Sequence, residues 1–372
     1  MYKKVCLAVL FGAVIVWLIP GRVHSQAKKQ EIFYVAQCKI FNEKLELVWS
    51  YPGDLCHFFP DGRVLVGDGS GLTLFDSELT PIWKKNIHVH HMLSITRRNT
   101  IVVLSSELRK INDPLFKFNT LVKSDIVSER NIKEPLKNYK NRFANKSVRV
   151  DLIREYSISG KLLRKFHLAD HKEIPLHTLV QFLPKKWAGD FEFDASHVNS
   201  IHEVPVNSSG IAALQKGNFI ITDLTNQMIM VLDKNLKKII WTLKYQDLKY
   251  TATHDASILP NGNILLLKNA GIIKADGSSV EEINPKTKKV VWRHFESPRP
   301  GFSFHSKGSA QLLNDGTIFY SNFTNNKTRA TIIGRDGIPH GTVDLTDYFP
   351  NGTPYSIYRL DVSDFLRNNN RL

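Results

Sequence analysis

The chain has 372 residues, of which 42% are hydrophobic and 23% charged, and its formal net charge is +15. This composition is that of a globular protein with a substantial core, and it excludes a largely disordered chain. The positive charge favours anionic ligands, but lysine and arginine are scattered along the sequence rather than grouped in a stripe, which disfavours nucleic-acid binding.

The N-terminal segment, residues 1–25, predicts a secretory signal peptide. Two lysines precede an apolar run from Val5 to Ile19, and Ser25 offers a small residue at the expected cleavage point. An uncleaved membrane anchor is the alternative, but the run is shorter than the ~20 apolar residues that a membrane-spanning helix needs. We therefore expect an exported protein, periplasmic or secreted, with residues 26–372 as its mature domain and no stable membrane insertion.

The mature chain retains two cysteines, Cys38 and Cys56. An oxidising compartment would allow them to form a disulfide that stabilises the fold. The sequence alone leaves both the paired and the unpaired state open.

A repeated unit organises the rest of the chain. Each copy has an apolar strand, a tight Asn-Gly or Asp-Gly type of turn, a second apolar strand and an outer pair of strands that often ends in Trp. Successive turn glycines at positions 217, 262 and 316 are 45 and 54 residues apart, near the 40–50 residues of a propeller blade. The copies run from His57 to Trp83, His91 to Phe166, His197 to Trp241, His254 to Trp292 and Gly308 to Leu345.

The two ends of the chain predict a sixth copy. The segment from Phe33 to Tyr51 has the pattern of an outer half-blade, and the segment from Tyr355 to Val362 could supply the inner half. Pairing the ends would close the ring and remove exposed strand edges. The sequence therefore predicts an all-β fold, one six-bladed β-propeller with four-stranded blades.

Two long segments depart from the repeat. One is an insertion at about residues 107–147, and the other is a connection at about residues 169–194. Long loops within a compact domain are often functional covers. Because the second leads directly into His197, we expect it to act as a lid.

Three copies share the pattern H-x-x-S-I at the start of the inner strand, beginning at His91, His197 and His254. Inner strands line the central channel of a propeller, so these imidazoles should converge. Asp54 and Gly308 hold the same position in other copies, so the blade does not need a histidine there to fold. Hydrogen-bonded structural histidines and a three-histidine metal site are the alternatives, although the sequence has no metal-motif spacing.

Two stretches, DASHVNSI (194–201) and THDASILPNGNILLLKN (253–269), resemble the arylsulfotransferase family in order and spacing. The resemblance extends over about residues 54–322. It implies a propeller exported to the bacterial periplasm. It also implies transfer of a sulfuryl group from an aryl sulfate to a phenol, without a nucleotide sulfate donor, cofactor or metal. Such a protein could form a homodimer.

By this resemblance, His254 matches the nucleophile that carries the sulfuryl group as a sulfohistidine. His197 and Asn199 match residues that hold the sulfuryl oxygens or handle the phenol proton, and His91 matches the remaining active-site histidine. The chemistry is reasonable, because neutral imidazole is a competent nucleophile and a second imidazole can act as a general base.

The sequence departs from the family at Leu224, which stands where the family has an arginine. An arginine offers a bidentate fork to an oxyanion, and leucine cannot replace it. We expect Lys268 to supply the missing charge and, with Asn269, to bind substrate. The alternative function is a propeller without catalysis that binds an anionic ligand or a protein partner.

Overall fold

A computed structural model shows the predicted six-bladed β-propeller. It describes residues 31–110, 120–125, 132–135, 147–171, 174, 178–183, 193–244, 252–269, 278–295, 307–324, 327–349, 354 and 356–371. The expected signal peptide, residues 1–25, lies outside the described residues. Within the described ranges, no helix has the length and apolar character needed to cross a membrane.

The first two blades contain the N-terminal strands. The first blade comprises β1 (Phe33–Ala36), β2 (Lys39–Phe41) and β3 (Leu47–Ser50), and it is completed by the last strand of the chain, β28 (Ile357–Leu360). The second comprises β4 (Leu55–Phe58), β5 (Val64–Asp68), β6 (Gly71–Phe75) and β7 (Pro81–Lys85).

The third blade is built on an enlarged sheet of eight strands. Its four blade strands are β8 (His88–Ile95), β9 (Thr100–Lys110), β12 (Ser147–Ser157) and β13 (Leu162–His167). The additional strands are β10 (Thr120–Asp125), β11 (Ile132–Pro135), β14 (Thr178–Leu183) and β15 (Phe193–Asp194).

The last three blades are regular four-stranded sheets. The fourth comprises β16 (Val198–Glu203), β17 (Phe219–Asp223), β18 (Met228–Leu232) and β19 (Ile239–Lys244). The fifth comprises β20 (Ala252–Ile258), β21 (Ile264–Asn269), β22 (Ser279–Asn284) and β23 (Lys289–Phe295). The sixth comprises β24 (Ala310–Leu312), β25 (Ile318–Thr324), β26 (Lys327–Ile333) and β27 (Pro339–Asp344).

The core lies between blades. Buried apolar side chains of the described residues form six clusters, one at each junction of neighbouring blades. Two of the repeated tryptophans also join blades through their indole N–H groups. Trp83 donates to the carbonyl of Ile158 at 2.9 Å, and Trp292 donates to that of Arg335 at 2.7 Å. The tryptophan at the end of the repeat is therefore a packing residue.

The ring closes where β28 pairs antiparallel with β1. The N-terminal segment supplies three strands of this blade rather than half of it, and only the innermost strand comes from the C-terminal segment. A short helix, α1 (Ser363–Asn368), follows the closing strand. Its Phe365 ring packs 5.3 Å from the Trp49 ring and 4.8 Å from the Phe58 ring.

A disulfide reinforces this closure. Cys38, between β1 and β2, is bonded to Cys56 on β4, with their Cα atoms 5.1 Å apart. The sequence left this pairing open. The bond joins the first blade to the second, so the blade assembled from both chain ends is covalently held to its neighbour.

The two segments that interrupt the repeat join one sheet. Strands β9 and β12 pair along 11 residues each, so the insertion begins after Lys110 and ends before Ser147. Within the connection at 169–194, β14 pairs parallel with β10, and β15 pairs parallel with β12. The segment that we expected to act as a lid therefore contributes two strands, β14 and β15, to the sheet of the third blade. Pairing in the sheet satisfies the backbone hydrogen-bonding groups of these strands.

Candidate functional site

The three predicted histidines lie at or beside a β-bulge at equivalent positions of three successive blades. In each inner strand, the register with the next strand shifts at this point: between Val89 and Leu93, between Val198 and Ser200, and between Thr253 and Asp255. A β-bulge re-aims the side chains at the rim of a sheet. His91 and His254 lie within the shifted segments, and His197 directly precedes one.

His91 has the most unusual backbone of the three, with φ at +56°. A residue with a Cβ rarely adopts this left-handed conformation, which costs roughly 1–2 kcal/mol. Such strain is concentrated at functional sites. The strained backbone therefore favours a role for the His91 side chain beyond folding.

The structure brings the predicted catalytic residues together. The Nε2 atoms of His91 and His197 lie 3.2 Å apart, and their ring centroids are 4.8 Å apart with the planes nearly perpendicular. His91, His254 and Asn199 line a common cavity. The other residues lining that cavity are Met92, Asp255, Gly308, Ser356 and Tyr358.

This cavity is small. Its volume is about 10 Å³, the space of one water molecule. A sulfuryl group attached to an aromatic ring therefore requires side chains such as Met92 and Tyr358 to move outward. Tyr358 comes from the closing strand β28, so the C-terminal segment contributes to this pocket through ring closure.

Asn269 orients His254. Its Nδ2 donates to the carbonyl of Lys307 at 3.3 Å, which leaves Oδ1 to accept a hydrogen bond from Nδ1 of His254 at 2.5 Å. With the proton of the neutral imidazole on Nδ1, the lone pair is on Nε2. Asn269, predicted to bind substrate, is therefore a positioning residue for His254.

Lys268, also predicted to bind substrate, is buried on β21, with its side chain 3% exposed. It pairs across the sheet with Thr253, the residue before His254. Lys268 is not among the residues that line the cavity. Its role in supplying charge to a substrate stays a prediction.

Asn199 presents an acceptor rather than a donor. Its Nδ2 donates to the carbonyl of Thr253 at 3.0 Å, and Oδ1 is buried without a hydrogen-bond partner among the described residues. A buried acceptor favours a ligand with an O–H or N–H group. This orientation suits contact with a phenol hydroxyl better than with sulfuryl oxygens.

Sequence reasoning missed a buried charged group behind His197. Asp194 receives two ion-pair contacts of 2.7 Å from the guanidinium of Arg149, and it lies 2.7 Å from Nδ1 of His197. Nη2 of Arg149 also lies 2.5 Å from that Nδ1. One signal was available: Arg149 and Asp151 alternate with the apolar residues Val148, Val150 and Leu152 in the first half of β12.

His90 extends this group in the other direction. Its Nδ1 lies 2.8 Å from Nδ1 of His91, and its Nε2 lies 3.1 Å from Oδ1 of Asp151. The second contact does not have the geometry of a hydrogen bond, because neither of its two atoms has a hydrogen-bond partner among the described residues. His90 lies outside the H-x-x-S-I pattern, so the repeat gave no reason to select it.

Burial and neighbouring charges set the protonation of these rings. Burial lowers the pKa of His91 well below its usual value, and the positive fields of His197, His90, Arg149 and His254 lower it further. Burial and Arg149 lower the pKa of His197, although Asp194 acts in the opposite direction. Both rings are therefore neutral at physiological pH.

Leu224 contacts the site through its backbone. Its N–H donates to the carbonyl of His197 at 2.8 Å, and its side chain carries no charge. A guanidinium is nevertheless present beside His197, because Arg149 approaches from β12 in the neighbouring blade. Asp194 is ion-paired with Nε and accepts a hydrogen bond from Nη2 of Arg149, so this guanidinium is not equivalent to an arginine that faces a substrate.

A metal site was the other interpretation of three converging histidines. Within the described ranges, no three His, Cys, Asp or Glu side chains form a group that could hold a metal ion.

Comparisons with known proteins place the fold only. No protein-family model matches the chain, and no curated protein matches it. The chain is similar to a protein of unknown function from Bacteroides caccae, with 13% identity and a TM-score of 0.51 over 89% of this chain and 98% of that one.

More distant likenesses are also propellers. The Dos1 propeller is 10% identical, with a TM-score of 0.42 over 84% of this chain and 68% of that one. The WD40 domain of Neurospora crassa Pan2 is 9% identical, with a TM-score of 0.41 over 84% of this chain and 73% of that one. At such identities and TM-scores, these likenesses assign no function to this chain.

Proposed function

We propose that this protein transfers a sulfuryl group from an aryl sulfate to a phenol, with His254 as the nucleophile. The observation that carries the proposal is the hydrogen bond from Nδ1 of His254 to Oδ1 of Asn269. It fixes the tautomer in which Nε2 has the lone pair, in a ring that lines a cavity with a second imidazole. A nucleophile oriented by a neighbouring acceptor is the arrangement that covalent catalysis requires.

The reaction has two half-reactions. In the first, Nε2 of His254 attacks sulfur, an N–S bond forms, and the S–O bond to the aryl group breaks to release a phenolate. In the second, the acceptor phenol attacks the same sulfur and gives up its proton as the N–S bond breaks. Splitting the transfer replaces one difficult step by two easier ones, and a nearby imidazole handles the proton in each.

An assay with a chromogenic aryl sulfate and a phenol acceptor tests the proposal. We expect the purified mature protein to release the chromophore, and His254→Ala to abolish release. His340→Ala is the matched control, because His340 is an exposed histidine on the outer strand β27. Brief reaction with a ³⁵S-labelled donor should leave label on the wild-type protein and not on His254→Ala. Equal turnover by wild type and His254→Ala would refute the proposal.

The second candidate function is binding without catalysis. It is favoured by the uncharged side chain at Leu224, where the resembled family has an arginine. In that case aryl sulfates would bind, as measured by calorimetry, without release of a phenol or labelling of His254.

We also propose that the protein acts outside the reducing cytosol. The disulfide between Cys38 and Cys56 supports this location, because such bonds persist mainly in oxidising compartments. Expression with the N-terminal 25 residues and fractionation of the cells would test it. Recovery of the mature chain, shortened near Ser25, from the periplasm or medium is the expected outcome, and retention in the cytosol would oppose the proposal.

A further inference from the structure

Two polar atoms of the cavity beside His254 have no hydrogen-bond partner among the described residues. They are Oδ1 of Asn199 and the hydroxyl oxygen of Tyr358, and both atoms are buried. Both residues line this cavity together with His91 and His254. A buried polar atom without a partner costs free energy that a bound ligand can restore. A ligand that fits this cavity must therefore offer a polar contact to each of the two atoms.

Hydrogen bonds on both sides of Tyr358 hold it at the cavity. Ser309 donates from Oγ to the carbonyl of Ile357 at 2.9 Å. Gln311 donates from Nε2 to the carbonyl of Arg359 at 3.0 Å and accepts the N–H of Arg359 at 3.1 Å. The closing strand β28 is therefore fixed to the sixth blade by the residues before and after Tyr358. These bonds position its ring without using its hydroxyl.

The unpaired atom of Asn199 is an acceptor. Its Nδ2 donates to the carbonyl of Thr253 at 3.0 Å, which fixes the plane of the amide and leaves Oδ1 as the atom without a partner. An amide oxygen carries no hydrogen and can only accept. A ligand atom that pairs with Oδ1 must therefore bring a hydrogen.

The unpaired hydroxyl of Tyr358 is a donor. Burial, and after it the charge of Asp255, raise the pKa of Tyr358 above its usual value, so the hydroxyl keeps its proton at physiological pH. Ser356 acts weakly in the opposite direction, but its contact with this hydroxyl does not have hydrogen-bond geometry. The oxygens of Asp255 have other partners: Oδ1 lies 2.6 Å from Nε2 of His202, and Oδ2 accepts the N–H of Ala310 at 3.1 Å.

One chemical group satisfies both atoms. It must donate to Oδ1 of Asn199 and accept from Tyr358, and a neutral hydroxyl does both. A sulfate oxygen, an ether oxygen or a phenolate only accepts, so each of these would leave Oδ1 of Asn199 unpaired. The cavity volume of about 10 Å³ has space for one such oxygen, whereas an aromatic ring needs neighbouring side chains such as Met92 to move. The size and the polarity of the cavity therefore agree.

Resting on the proposed sulfuryl transfer, we propose that Asn199 and Tyr358 bind the hydroxyl of the acceptor phenol beside His254. We call these two residues the hydroxyl subsite. It selects acceptors by their O–H group and takes the neutral phenol rather than the phenolate. It acts in the second half-reaction, because an aryl sulfate has no O–H group on its reacting oxygen. Tyr358 lies outside the H-x-x-S-I pattern, so the repeat gave no reason to select it.

Calorimetry with phenol and anisole tests the hydroxyl subsite without any catalysis. Anisole has a methyl group in place of the hydroxyl hydrogen, so its oxygen only accepts. We expect wild type to bind phenol about 10-fold more tightly than anisole, and Tyr358→Phe to bind phenol about 10-fold more weakly than wild type does. Equal affinities of wild type for phenol and anisole, or failure to bind phenol, would overturn the proposal.

The matched control is Tyr348→Phe, which also deletes one hydroxyl. Tyr348 donates to the carbonyl of Leu45 at 3.0 Å and does not line the cavity. This variant should bind phenol as wild type does. The same loss of phenol affinity in both variants would assign the effect to the fold and overturn the subsite.

Urea denaturation tests whether the hydroxyl of Tyr358 serves the fold instead. Because it has no partner among the described residues, Tyr358→Phe should have the same midpoint as wild type or a higher one. Tyr348→Phe loses a hydrogen bond and should have a lower midpoint. A lower midpoint for Tyr358→Phe would overturn the proposal, since it would mean that a permanent water or another partner pairs with this hydroxyl.

The kinetic test separates the two half-reactions. The first is the burst of 4-nitrophenol from 4-nitrophenyl sulfate alone, and the second is measured as kcat/KM for phenol as acceptor. We expect the loss in Tyr358→Phe to be about 10-fold greater in the second than in the first. Equal losses in both would overturn the assignment to the acceptor.

The two proposals fail in different ways. Selective binding of phenol over anisole, lost in Tyr358→Phe, by a protein that transfers no sulfuryl group would refute the sulfuryl transfer and leave the hydroxyl subsite. Sulfuryl transfer to phenol with an unchanged kcat/KM in Tyr358→Phe would refute the hydroxyl subsite and leave the transfer.

Discussion

The Nε2 atoms of His91 and His197 lie 3.2 Å apart although 106 residues separate the two histidines in the chain. His91 lies on the inner strand β8, and His197 directly precedes the inner strand β16 of the neighbouring blade. Their approach depends on bulges at equivalent positions of the two strands and on a ring that closes. Their rings are nearly perpendicular, at 80°, as expected for two imidazoles joined by an edge-on contact.

Asn269 should control the reactivity of His254. Replacing it with alanine removes the acceptor that fixes the proton on Nδ1, so a fraction of the rings would hold the proton on Nε2 and lose the nucleophile. We expect sulfuryl transfer to fall by roughly 10- to 100-fold with little change in KM, as for other residues that orient a reactive group. Asn269→Asp, which retains an acceptor, should lose less than Asn269→Ala. A larger loss in Asn269→Asp would contradict the positioning role.

Lys268 should be needed for turnover of aryl sulfates if its positive charge replaces the charge that Leu224 lacks. If Lys268 contributes positive charge to the transition state, Lys268→Ala should lower the turnover of aryl sulfates by about 10²- to 10³-fold. Lys268→Arg keeps the charge and should retain more activity than Lys268→Ala. Unchanged turnover in Lys268→Ala, measured with a folded protein, would eliminate the compensation.

His91 should tolerate asparagine better than valine in folding. Its φ of +56° is accessible to asparagine but strained for a β-branched residue. His91→Val should therefore lower the free energy of unfolding by about 1–2 kcal/mol more than His91→Asn does. Chemical denaturation of both variants measures the difference, and equal stabilities would show that the backbone relaxes at this position.

The disulfide should stabilise ring closure. Cys38 and Cys56 are 18 residues apart, and linking residues at that separation contributes about 3 kcal/mol, mainly by restricting the unfolded chain. Denaturation of the double variant Cys38→Ser, Cys56→Ser should show this loss, and reductant should have no further effect on that variant. A reductant-insensitive wild type would indicate that the bond does not contribute.

His202 should make stability depend on pH. Burial alone would lower its pKa, but Nε2 lies 2.6 Å from Oδ1 of Asp255, whose charge and hydrogen bond raise the pKa above the usual 6.5. Because the pKa is higher in the folded state, this pair stabilises the protein fully below about pH 6.5. The contribution is lost as the pH rises through the folded-state pKa.

Denaturation midpoints between pH 5.5 and 8.5 would measure this dependence. The midpoint should fall in wild type above about pH 6.5, and His202→Gln should show a smaller fall over the same range. His340→Gln serves as the control because His340 is exposed. The same fall in wild type and His202→Gln would assign the pH dependence to other groups.

Much of the architecture could be predicted from the repeat. Blade strands are short and apolar, and their turns need residues that adopt positive φ, such as Gly262 at +84°. These are local requirements, so they recur in the sequence with the spacing of the blades. The H-x-x-S-I pattern also located three histidines, since equal positions in successive blades face one channel.

The amino-acid sequence by itself determined the propeller, the pairing of its ends and the convergence of His91, His197 and His254. Only the tertiary structure decided that His90, Arg149, Asp151 and Asp194 join them, and that Asn269 orients His254. The physical reason is the distance along the chain between the residues that interact. Strand pattern and turn chemistry depend on neighbours in the chain, whereas ion pairs and hydrogen bonds between blades depend on side-chain positions that exist only after the ring has closed.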